Sequence, residues 1–159
     1  MKKIILLIVI AIFLNSCNSG SALKFSDTIV KKEKSLEPEI VKTEDQVKNF
    51  IAAGQFDSMA VVSEKMESLV NVRLNEIREL KAPAVKYAEE FKKDAVDYFA
   101  YMKSVYTSYV KYARAETDEM RNQELLNLQE VVNKKNDVLQ NMRQSQKKFA
   151  DANGFKIEN

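Results

Sequence analysis

Residues 84–115 read AVKYAEEFKKDAVDYFAYMKSVYTSYVKYARA. Ala88, Phe91, Ala95, Tyr98, Met102, Val105, Tyr109 and Tyr112 recur at steps of three and four, so they share one face of an α-helix. Tyr87, Phe99 and Tyr106 widen that face beyond the two-position seam of a coiled-coil pair. Glu89, Glu90, Asp94 and Asp97, interleaved with Lys92 and Lys93, form a solvated face. The pattern predicts one helix from about Ala84 to Ala115, with Pro83 suited to its first turn. An apolar face this wide must be covered by other helices.

Three such partners flank it. The first helix is read over 22–53, with Ala22, Phe25, Ile29, Leu36, Ile40, Val47 and Phe50 on its stripe and Gly54 as its stop. Pro38 lies on its solvent side; the reading is one long helix kinked there, with a break at Ser35-Leu36-Glu37 as the alternative. The second covers 58–80, with Asp57 as N-cap, Phe56 stapled onto Val61, and Met59, Val62, Met66, Leu69, Val70, Ile77 and Leu80 as its stripe. The last covers 119–153, capped by Thr117 or Asp118 and striped by Leu125, Leu128, Val132, Leu139, Met142 and Phe149. Gly154 ends it and lets Phe155 fold back on Phe149 or Ala150. Arg73 and Lys135 interrupt stripes, and their stems are expected to pack while their heads reach water. If Arg73 were buried, Glu33 is the candidate partner. Three glycines, two prolines and short turns complete an all-α reading: an antiparallel up-down four-helix bundle over 22–159.

The N-terminus is of another kind. Lys2 and Lys3 precede Ile4–Leu14, an unbroken apolar run of eleven residues. A spanning helix needs about 20, so the run is too short for one and fits a secretory signal over 1–16. The run ends in Leu14-Asn15-Ser16-Cys17. This resembles the lipobox of bacterial lipoprotein precursors, with Leu14 at −3, Ser16 at −1 and Cys17 as the residue acylated. Asn15 departs from the usual small or apolar −2 residue. The resemblance implies cleavage before Cys17, and several acyl chains make the anchor stable where one is marginal. Residues 17–21 then form a short tether. Without 1–16 the 25 basic residues fall to 23, matching the 23 acidic ones, so no nucleic-acid partner is indicated.

The chemistry classes are narrow. There is no histidine and one cysteine, which excludes the usual zinc sites, serine triads and histidine-bearing di-iron centres. No glycine-rich phosphate loop is present. The sequence thus predicts no enzyme, no metal and no cofactor. All six tyrosines lie between Tyr87 and Tyr112. Tyr98, Tyr109 and Tyr112 fall on the predicted core stripe, with Tyr87 and Tyr106 at its border. Tyr101 is on the flank.

Phe25, Ser26, Asp27 and Ile29, then Pro83, then Phe149 with Gly154-Phe155, are similar to features of small helical lipoproteins of Bacteroidota and spirochaetes, a group described only as surface proteins. The resemblance spans the mature chain, implies a four-helix bundle and transfers no functional residue. The expected function is a lipid-anchored, non-enzymatic interaction or structural module of the cell envelope, with an envelope protein as partner. The alternative is a binding protein for an envelope lipid or glycan, through a groove at Tyr98, Tyr101 and Tyr106. By resemblance to Gram-negative sorting rules, Asn18 after the cysteine points to the outer membrane. The lack of a following acidic cluster points to its periplasmic face.

Overall fold

The computed structural model describes residues 15–157. It is a four-helix bundle, with no strand among those residues. The first rod is α1 (Asn15–Lys34) followed by α2 (Glu37–Ala53); α3 (Phe56–Glu79) and α4 (Ala88–Arg114) are single helices; α5 (Asp118–Asn133) and α6 (Lys135–Asn153) make the last rod.

The first rod breaks where Pro38 requires it. α1 ends at Lys34, four residues before the proline. Proline offers no N–H to that carbonyl, and its ring crowds it. The chain turns through Ser35 and Leu36, whose N–H groups donate to the carbonyls of Lys31 and Glu33 at 3.0 and 2.9 Å. The Leu36 carbonyl then accepts from the Ile40 N–H at 2.9 Å and opens α2. The last rod also breaks, at Lys134, although one helix was expected over 119–153. Val131, Val132 and Asn133, all weak helix formers, precede it.

Four other expectations shift. Residues 17–21, read as a short tether ahead of a helix starting at Ala22, lie within α1. Gly20 is the one breaker there, at about 1 kcal/mol, and the helix continues through it. α4 starts at Ala88 rather than Ala84, because Tyr87 turns left-handed at φ 64. Pro83 therefore sits in a loop, where its carbonyl accepts from the Val85 N–H at 2.8 Å. Asp57 is not an N-cap: it lies inside the first turn of α3, behind Gln55. Phe56 packs edge-on against Tyr112 at 5.8 Å and beneath the Arg121 guanidinium at 4.0 Å, while Val61 stays exposed. The stops hold as expected: Gly54 and Gly154 are left-handed, at φ 67 and 72. The Thr117 side chain accepts the Met120 N–H at 3.1 Å.

The packing is uneven along the bundle. At one end Phe149 of α6 stacks on Phe91 of α4 at 5.3 Å. It also meets Phe25 of α1 at 5.8 Å and Phe155 at 5.6 Å, both edge-on. Ile29, Val70, Leu74 and Ile77 are buried in the same cluster. The other end has a smaller core of Val47, Met59, Ala60 and Ala113. α5 contributes no buried residue. Its predicted core positions Leu125 and Val132 are 39 and 44 % exposed. α2 packs on α3 and α5 on α4, but among the described residues α2 and α5 share no extensive contact. The bundle is closed between α1 and α6 and open between α2 and α5.

Candidate functional site

The open side holds a cleft of about 400 Å³. Its floor is α4, which contributes Tyr98, Tyr101, Met102, Val105, Tyr106 and Tyr109. One wall is Ile40 and Glu44 of α2; the other is Val132, Lys135 and Leu139 at the α5–α6 junction. The α5–α6 break borders it, with Val132 and Lys135 on either side of Lys134. Tyr98, Tyr101 and Tyr106, marked in the sequence as a candidate groove, come together here.

The face that α4 buries is rotated from the expected one. Phe91, Ala95, Phe99, Met102 and Tyr106 are its buried large or central residues, with Tyr106 only 3 % exposed. Tyr98, Tyr109 and Tyr112, expected on the core stripe, are half-buried. Phenylalanine at 99 has no hydroxyl to satisfy and goes inward, whereas each tyrosine tip needs a partner at the edge. The Tyr98 hydroxyl donates to Glu33 Oε1 at 2.8 Å, and the Tyr109 hydroxyl to Glu44 Oε2 at 3.0 Å. Tyr106 lies edge-on to Tyr109 at 5.9 Å, beside the same carboxylate.

Burial first, then the neighbouring carboxylate, raises the hydroxyl pKa of Tyr98 and of Tyr106 and Tyr109 well above the ordinary tyrosine value. Burial, then Glu44, raises Tyr101 as well. These four hydroxyls therefore stay protonated near neutral pH. They supply apolar faces and O–H donors, not nucleophiles. The charged groups in the lining are one carboxylate, Glu44, and one ammonium, Lys135.

Glu33 is taken by Tyr98 and is not the partner of Arg73. Arg73 instead meets Glu76 on its own helix at 2.9 Å, and Lys32 reaches the same carboxylate at 2.6 Å. The hydrogen bonds from Lys32 and then Arg73 hold the Glu76 pKa below the ordinary carboxylate value. The Arg73 head is about one-third exposed, in keeping with a packed stem and a wetted tip. Lys135 is exposed at the cleft wall rather than inside a core stripe.

Ser16 and Cys17 fall in the first turn of α1, whereas Leu14 and the signal segment before it lie outside the described residues. Among the described residues no helix is long and apolar enough to cross a membrane. No group of His, Cys, Asp or Glu side chains there is placed to hold a metal ion. No protein-family model matches the chain, and no curated protein or solved structure matches it significantly.

Glu44, Tyr109, Val132, Lys135 and Leu139 had not been marked as cleft residues. Val132 and Leu139 carried an apolar signal, but it read as core. Nothing in the sequence marked the cleft pair Glu44 and Lys135 as belonging together.

Proposed function

We propose that this chain is a lipid-anchored cell-envelope protein, of the small helical lipoprotein type, that holds an envelope lipid in its tyrosine-lined cleft. The observation that carries the reading is the cleft on the bundle's open side, apolar in most of its lining and floored by four tyrosines. Ligand sites of this size are mostly apolar with a few polar groups that fix orientation. An enzyme reading has no support from the protonated tyrosines or from a lone carboxylate.

The bundle is antiparallel and up-down in this account. In support, Lys103 meets Asn71, Thr107 meets Glu67 and Arg114 meets Glu64, so numbers fall on α3 as they rise on α4. Tyr98 with Glu33 and Tyr109 with Glu44 keep a constant offset, so the first rod runs with α4. Cys17 carries the anchor after cleavage of residues 1–16. Helical rise of about 1.5 Å per residue puts it about 7.5 Å from Ala22, so the bundle lies against the membrane. The outer membrane, periplasmic face, is the proposed location; loss of the protein on protease treatment of intact cells would overturn that face.

The test is to extract the full-length protein in mild detergent and weigh what stays bound by native mass spectrometry. The wild type is expected to retain a lipid-sized species. Val105→Trp, which fills the cleft floor, is expected to lose it. Equal retention by both proteins would sink the reading.

A further inference from the structure

Resting on the reading of this cleft as a lipid site, we infer that the head group it selects carries an ammonium, paired with an anionic phosphate in a zwitterion. The ammonium is placed by Glu44 and the tyrosine faces. The carboxylate sits in the lining with Tyr98, Tyr101, Tyr106 and Tyr109. Tyr109 spends its hydroxyl on Glu44 Oε2 at 3.0 Å, which fixes the carboxylate in place as the negative charge of the lining. Aromatic faces attract an alkylated ammonium through their negative quadrupole, and several rings beside a carboxylate form a cage for one. Lys135, on the opposite wall, is the only cation in the lining and suits the phosphate. Ile40, Val132 and Leu139 give the acyl or alkyl part an apolar surface to lie on. A purely anionic head would face Glu44 unpaired, and an uncharged head would leave both charges unused.

The experiment titrates four six-carbon probes into the full-length protein in non-ionic detergent and follows the tyrosine ring resonances. The probes are hexylphosphocholine, hexyltrimethylammonium, hexyl sulfate and hexyl glucoside. Saturable shifts are expected with hexylphosphocholine and weaker ones with hexyltrimethylammonium. Glu44→Gln keeps an acceptor for Tyr109 but removes the negative charge that attracts the ammonium, and is expected to weaken both by about tenfold. Lys135→Ala is expected to weaken hexylphosphocholine alone. Equal binding of hexyl sulfate or hexyl glucoside would overturn the ammonium preference and leave the lipid cleft standing. Failure of all four probes to move the rings would overturn both.

Discussion

Phe149→Ala tests where the bundle's stability resides. The ring is fully buried and touches Phe91, Phe25 and Phe155 at centroid distances of 5.3, 5.8 and 5.6 Å. Truncating a buried phenylalanine costs about 3–5 kcal/mol, because the surroundings collapse only partly into the cavity. Aromatic pairs add about 0.5–1.5 kcal/mol each beyond their area, so three lost pairs put this site at the upper end, about 4–5 kcal/mol. At about 4 °C per kcal/mol for a domain of this size, the melting temperature should fall by about 15–20 °C. Thermal melts of the full-length protein followed by circular dichroism measure it. Leu125→Ala, on the exposed face of α5, is the control and should stay within about 0.5 kcal/mol of wild type. A drop below about 4 °C for Phe149→Ala, or equal drops for the two variants, would refute the assignment of the main core to the α1–α4–α6 end.

Gly54→Ala forces a side chain into a left-handed φ of 67 and should destabilise by about 1 kcal/mol, read as a lower urea midpoint. Gly20→Ala is the opposite case: an added Cβ meets nothing within 4 Å, and helix propensity should raise stability by up to about 1 kcal/mol in the same assay. Towards alkaline pH stability should fall above pH 10. There the unfolded chain ionises its tyrosines while Tyr98, Tyr106 and Tyr109 keep their protons in the folded state, and tyrosinate absorbance should rise together with unfolding. Towards acid the Glu76 contribution is present above about 4.5 and lost as pH falls through its lowered folded value, so Glu76→Gln should flatten that part of the acid denaturation curve.

The helical class was legible because Gly, Pro and stripe spacing agreed across the whole chain. The stops were legible for a local reason: Gly54 and Gly154 occupy left-handed positions that other residues resist. Pro38 marked the place, since a missing N–H acts on one definite carbonyl, but the reading favoured a kink and the chain breaks there instead. The break at Lys134 had no such marker. The rotation of α4 was hidden because aromatics lie on both sides of its stripe, and periodicity alone does not rank Phe99 against Tyr98. Hydroxyl partners on the first rod, Glu33 of α1 and Glu44 of α2, decide that ranking. The tyrosine groove was half legible. Its floor lies on one helix, but its walls come from residues about 60 positions before and 30 after, and an apolar stripe reads the same whether it meets a core or a cleft.

The central claim is that the open side between α2 and α5 is where an envelope lipid sits. It is tested most directly by photo-crosslinking in intact membranes with a phosphocholine lipid carrying a diazirine in its tail, followed by peptide mapping of the labelled chain. The account predicts label on the cleft walls, at Ile40, Val132 and Leu139, and its loss in Val105→Trp. Label spread evenly over the bundle surface, or equally strong in Val105→Trp, would contradict it.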